Sequence, residues 1–183
     1  MILDAFTRFT GASGGVGNND GLTDSPTTGT QTSSNIVDLH MAGIPVLANN
    51  QGARDMGIGD KPAIKVLVQV STAFTGGTSL AVNLQGATDN GSGAPASFST
   101  YFGSGVIAEA GLIVGARLLD IDMPRPPAGV AIPRFLQLQY VTVGTHGAGK
   151  LVGALVLDRI DQPYQGTSNA VLGGYPAGIT IAN

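Results

Sequence analysis

The stretch of this chain most open to an enzymatic reading is Gly144-Thr-His-Gly-Ala-Gly149-Lys150, which satisfies G-x-x-x-x-G-K. A phosphate-binding loop of that pattern works because backbone N–H groups converge at a helix N-terminus, and a following Ser or Thr hydroxyl holds Mg²⁺. Here Leu151-Val-Gly-Ala-Leu155 follows, with no hydroxyl and a strand-like pattern. The residues therefore read as a glycine-rich hairpin loop, not a nucleotide site. The two histidines, His40 and His146, sit among glycine and apolar neighbours and read as loop residues; a metal site on them needs carboxylates from elsewhere. Asp120 and Asp122, two apart, share one face of a strand. They form a carboxylate pair, half a Ca²⁺ site, or, the favoured reading, a solvated strand end pairing with Arg117 or Arg125. Asp158 and Asp161 flank Arg159 as local surface pairing. Gly11-x-x-Gly14-Gly15-x-Gly17 is too loose for a dinucleotide loop, and no G-x-S-x-G nucleophile elbow occurs. The expectation is no catalytic residue, no cofactor-binding residue and no metal ligand: this is not an enzyme.

Composition narrows the classes further. The chain has 183 residues, a net charge of −3, no cysteine and only 11% charged residues. No run of Lys or Arg supplies the electrostatic footprint of nucleic-acid binding. Disulfides and thiolate metal sites are excluded. No apolar run has the length of a membrane span, and Met1–Gly11 lacks the pattern of a signal peptide. The Asn90-Gly91-Ser92 sequon is then without consequence, and synthesis in a cytoplasm is expected. With 28 Gly and 10 Pro, turns are frequent and long helices are not expected. Low charge in such a chain fits a surface partly spent on subunit contacts.

The elements that would position these residues are short strands. Leu136, Leu138 and Tyr140 alternate with Gln137, Gln139 and Val141. A turn over Gly144–Gly149 leads to a second strand, Leu151–Leu157, apolar on both faces and so covered on both. Ala63–Thr72 and Ser79–Gln85 form a second hairpin about Gly76-Gly77. Asn35–Leu39, Phe98–Phe102, Val106-Ile107 and Arg117–Ile121 are further strands, and 108–115 holds one poor helical turn. Met1–Phe9 is a short apolar strand or arm, 11–34 a long surface loop, His40–Lys61 and Pro124–Pro133 irregular connections, and 159–183 a tail in which Ile179–Ile181 is placed to add an edge strand to this subunit or to a neighbour. The expected fold is all-β: one domain over 1–183, a two-sheet, jelly-roll-like β-sandwich with long Gly/Pro-rich loops. It carries an N-terminal arm and flexible loop (1–34) and a C-terminal tail (159–183). An immunoglobulin-type sandwich is the alternative, without that fold's Cys and Trp.

In order along the chain come Met1-Ile-Leu-Asp-Ala5, Ser34-Asn-Ile-Val-Asp-Leu39, Asp55-Met-Gly-Ile-Gly59, Arg134-Phe-Leu-Gln-Leu-Gln-Tyr140, Ala148–Asp158 and Tyr175-Pro-Ala-Gly178. This ordered set resembles the capsid cement, or decoration, proteins of tailed bacteriophages, specifically the Bbp16-like family. The chain departs from that pattern in its longer loop at 11–33 and in His40, where glycine is more typical. The resemblance implies a jelly-roll subunit, a homotrimer and attachment to the major capsid protein on the outer surface of the head at threefold positions. It implies no catalysis and no cofactor. The 1–10 arm, the 11–34 loop and the 159–183 tail are the expected contact segments. Another virion β-domain, such as a head-fibre base, a tail protein or a glycan-binding protein, is the alternative.

Overall fold

The computed structural model describes residues 7–12, 16, 20–39, 64–124, 128–129 and 131–157. Among these, seven strands form one antiparallel sheet: β1 (Thr30–Thr32), β2 (Val37–Asp38), β3 (Ile64–Ala87), β4 (Ser99–Gly103), β5 (Ile107–Ala108), β6 (Arg117–Asp122) and β7 (Phe135–Leu157). A single 3-10 turn covers Glu109–Gly111. The all-β class therefore holds. The order runs β1-β7-β3-β4, with β2 also on β7, and β5 and β6 also on β3.

Two expectations need correcting. Neither Gly76-Gly77 nor Gly144–Gly149 reverses the chain. β3 and β7 are continuous strands of 24 and 23 residues, paired from Ile64↔Leu157 to Ala87↔Phe135. The two glycine stretches lie opposite each other, with Gly77 facing Gly144, and the register shifts four times between Val70 and Ser79. Bulges of this kind bend a ribbon and raise its twist without ending it. At Gly144 the bend requires φ +79, which glycine adopts without strain.

The bend doubles the ribbon over. Leu138 and Gly153 stand fifteen residues apart in β7, roughly 50 Å if the strand were straight. Yet a Cβ on Gly153 would lie 2.7 Å from Leu138 Cδ1. The core forms between the two halves. Val66, Val68, Val70, Leu151 and Leu155 of one half meet Leu80, Val82, Leu84, Leu136, Leu138 and Tyr140 of the other. The layering thus comes from one sheet folded back, not from two separately hydrogen-bonded sheets. On the opposite face of the first half, Leu67, Ala154 and Val156 form a second small cluster. The both-face burial of that strand is as expected. On the opposite face of the second half, amides pair across strands: Gln137 Nε2 donates to Gln85 Oε1 at 2.8 Å and Asn83 Nδ2 to Gln139 Oε1 at 3.1 Å.

The 11–34 segment is also not a surface loop throughout. It carries β1, and Thr23, Asp24 and Ser33 are buried. Asp24 pairs its backbone with Leu151, and Arg8 bridges to Ala154, so both line the free edge of β7. Of the arm, Phe9 is fully buried in this chain's own core. Residues 1–6 of the arm, His40–Lys61, Arg125 and the 158–183 tail with its Ile179–Ile181 strand fall outside the described residues.

Candidate functional site

The G-x-x-x-x-G-K stretch lies wholly within β7. Its backbone follows the bent ladder with β3, and no helix begins there. Lys150 Nζ reaches Asp20 Oδ2 at 3.3 Å, an ion pair near the surface. The convergent N–H groups of a phosphate cradle are not formed here. Asp120 and Asp122 stand in ion pairs, the first with the expected Arg117 and the second with a residue that the sequence reading did not name. Asp120 takes Arg117 at 3.0 Å, and Asp122 takes Lys65 of the neighbouring strand.

His146 is not a loop residue; that expectation is corrected. Its ring is buried in the bend, edge-on to Phe74 at 5.1 Å. Gly77 makes the space, since a Cβ there would lie 2.2 Å from the imidazole. The glycine that read as a turn is a seat for an aromatic ring. His40, Asp158, Arg159 and Asp161 lie outside the described residues. Among the described residues, no three His, Cys, Asp or Glu side chains cluster as a metal site. An open cleft of about 260 Å³ is lined by Gln69, Val70, Ser71, Val114, Gly115 and Val152, with no ionisable side chain.

Two polar centres went unseen in the sequence. Asp24, 1% exposed, accepts hydrogen bonds on both oxygens. Oδ1 takes Gly11 N at 3.0 Å and Ser34 Oγ at 2.6 Å; Oδ2 takes Ser34 N and the Tyr140 hydroxyl, each at 2.9 Å. Burial and then the Asp24 charge hold the Tyr140 hydroxyl well above its usual pKa. The second centre is Arg134. It grips Asp38 with Nε and Nη2, each at 2.9 Å, and also takes Asp89 Oδ2. Its guanidinium lies 4.8 Å over the Phe135 ring. The backbone N–H groups of Gly93 and Gly91 on Asp89, and then Arg134, lower the Asp89 pKa. Hydrogen bonding to Asp38 raises that of Arg134. Asp38, Asp89 and Arg134 are far apart in the chain, so spacing carried no signal. Asp24 sat in a Gly/Ser/Thr stretch that composition marked as loop.

The surface is uneven. Strand β6 is a sheet edge with Arg117, Asp120 and Asp122 along it, charges of the kind that discourage edge pairing. The run 99–116, from β4 through the 3-10 turn, holds one Asp, Glu, Lys, Arg or His side chain, Glu109. Phe102, Val106, Ile113 and Val114 on it are 40%, 77%, 61% and 65% exposed. Of the expected contact segments, the described parts of 1–34 are largely committed to this chain's own edge and core. The run 99–116 was not singled out from sequence, although its lack of charge was readable there.

The family model described as Bbp16 matches residues 24–155, from buried Asp24 to Leu155 near the end of β7. No curated protein matches the sequence. The match covers most of the chain and reaches every strand of the sheet described above; the chain belongs to the Bbp16 family.

Proposed function

We propose that this chain is a structural, non-catalytic virion protein: a cement subunit that trimerises, binds the major capsid protein on the outside of a tailed-phage head at threefold positions, and stabilises the shell. In this reading it is made in the bacterial host cytoplasm, needs no cofactor, and contacts neither nucleic acid nor membrane. Family membership and the resemblance to cement proteins support it. The observation that carries it is the 99–116 flank, where exposed apolar side chains stand in a stretch nearly free of charge. Such patches mark surfaces that bind other proteins, whose contact centres are depleted of charge.

The mechanism is linkage. A protein that binds the assembled shell but not separated capsid subunits stabilises the shell by RT ln(1 + [L]/Kd). Three linked copies strengthen attachment because the second and third contacts form at high effective concentration.

Light scattering after size exclusion should give a trimer, and images of the protein mixed with undecorated capsids should show added density at threefold positions. The capsids should also gain heat resistance. Val106→Asp with Ile113→Glu should abolish attachment or trimerisation while leaving the fold intact, since both side chains are exposed. A stable monomer that leaves capsids as heat-labile as before overturns the reading.

A further inference from the structure

The bend in the ribbon holds an ion pair that lacks only a proton. His146 Nε2 lies 3.3 Å from the Ser79 carbonyl, which can only accept, so the hydrogen bond requires Nε2–H. That leaves Nδ1 facing Glu109 Oε2 at 3.6 Å. Both atoms are buried and neither has another hydrogen-bond partner. In neutral histidine with Nε2 protonated, Nδ1 turns a lone pair toward a carboxylate, away from water. One further proton, on Nδ1, converts that repulsion into a charge-assisted contact.

Among the described residues around the ring, Glu109 is the one candidate counter-charge. Four elements pack on the imidazole or hold its backbone. β3 contributes Phe74, Gly77 and Ser79; the 25–29 segment accepts His146 N–H at the Thr27 carbonyl, 2.8 Å away. Neither stretch, 71–79 or 25–29, contains an ionisable side chain. The nearest along β7 is Lys150, already held by Asp20. The 3-10 turn supplies Glu109 alone. Beside Glu109, Ile107 packs against the core and Leu112 is fully buried, so the turn is fastened on both sides. Val106, Ile113 and Val114 stand just beyond those fastenings.

We propose that His146 and Glu109 form a proton-operated latch: one proton taken up at Nδ1 completes a buried ion pair that locks the 106–115 connection onto the bend, and its loss loosens that connection. The device is independent of what the 99–116 surface binds. It gives that surface a rigid state and a looser one, set by acidity.

Hydrogen exchange of the full chain tests it, with rates corrected for the intrinsic effect of pH. Across a pH series, protection of the 106–115 amides should be about tenfold higher at the acid end than at the alkaline end, the scale of a hydrogen bond to a charged group. Glu109→Gln should flatten that dependence. His146 variants risk misfolding because the ring fills the bend, so a second measurement reads the proton directly. With His40→Gln leaving one histidine, ¹⁵N spectra should show both ring nitrogens of His146 protonated at the acid end and only Nε2 at the alkaline end. An Nδ1 that stays unprotonated throughout, or a Glu109→Gln variant with undiminished pH dependence, overturns the proposal.

Discussion

Asp24 and Arg134 each gather distant parts of the chain around one charge, and they do it by opposite means. Asp24 is fully buried and is met by two backbone amides and two hydroxyls, all of them neutral donors. Arg134 lies nearer the surface, and its two carboxylate partners are each 30% exposed. Where water is excluded, a charge is tolerated when its lone pairs are filled by fixed donors. Where water is at hand, opposite charges meet and solvent screens them. The buried centre also ties more together: the Asp24 backbone sits on Leu151 in one half of β7, while its carboxylate holds Tyr140 in the other. It clamps the ribbon in its folded-back shape.

The sharpest way to break this comparison is at Asp24. Each oxygen receives two donors, so either orientation of an asparagine amide sets its NH₂ against two donors. Asp24→Asn should therefore be nearly as harmful as Asp24→Ala, each costing about 3–4 kcal/mol of unfolding free energy in urea titration. An asparagine variant within 1 kcal/mol of wild type would show that the carboxylate charge is not what those donors require.

Tyr140 comes next. Tyr140→Phe leaves one acceptor lone pair of Asp24 Oδ2 unfilled and keeps the ring, so about 1–1.5 kcal/mol should be lost near neutral pH. The alkaline limb is more specific. The folded-state pKa of Tyr140 is raised above the ordinary value of 10.0, so the folded protein retains a proton that the unfolded chain gives up. This contribution is fully present below pH 10 and declines as pH rises beyond it toward the folded value. Wild-type stability should fall in that range and the phenylalanine variant should fall less, as denaturation curves at successive pH values would show.

Much of the sheet was legible in the sequence, for local reasons. Alternation marked Val66, Val68 and Val70, and Leu136, Leu138 and Tyr140, as core positions, and all are buried. The single helical turn in 108–115 and the strand beginning at Arg117 also fell where periodicity put them. The two glycine stretches misled because a reversing turn and a bulged bend make the same local demand. What separates them is the partner opposite: Gly77 faces Gly144, and Phe74 fills the space where Gly149 would carry a Cβ, 2.3 Å away. That is pairing information, and one strand does not carry it. Asp24 was hidden for a related reason. Glycine, serine and threonine are loop formers by composition, but their amides and hydroxyls are also the donors a buried carboxylate needs.

At the Arg134 centre the effects should be smaller and sensitive to salt. Arg134→Met keeps the stem over Phe135 and removes the charge, releasing Asp38 and Asp89 to water. The loss should be no more than about 1 kcal/mol at low ionic strength and should shrink in 1 M salt, where the screening length is about 3 Å. The Asp24 variants should show no such salt dependence. A salt-independent loss at Arg134 would mean that packing, not charge, is its contribution.

The smallest effect belongs to Asp89, and its sign is fixed by its surroundings. The Gly93 and Gly91 amides, with Arg134, hold its folded-state pKa below 3.8. The unfolded chain therefore takes up a proton first as pH falls. The resulting stabilisation is complete above pH 3.8 and fades as pH drops through the folded value. Asp89→Asn should change the acid limb alone and leave the alkaline limb, set by Tyr140, where it was. Asn also keeps the Oδ1 acceptor that both glycine amides use, so the variant should fold normally at neutral pH. The two limbs report on separate groups without a second mutation: the acid limb on Asp89 and the alkaline limb on Tyr140. If Asp89→Asn moved the alkaline limb, the centres would be coupled through β7, which carries Arg134 at its threshold and Tyr140 within it.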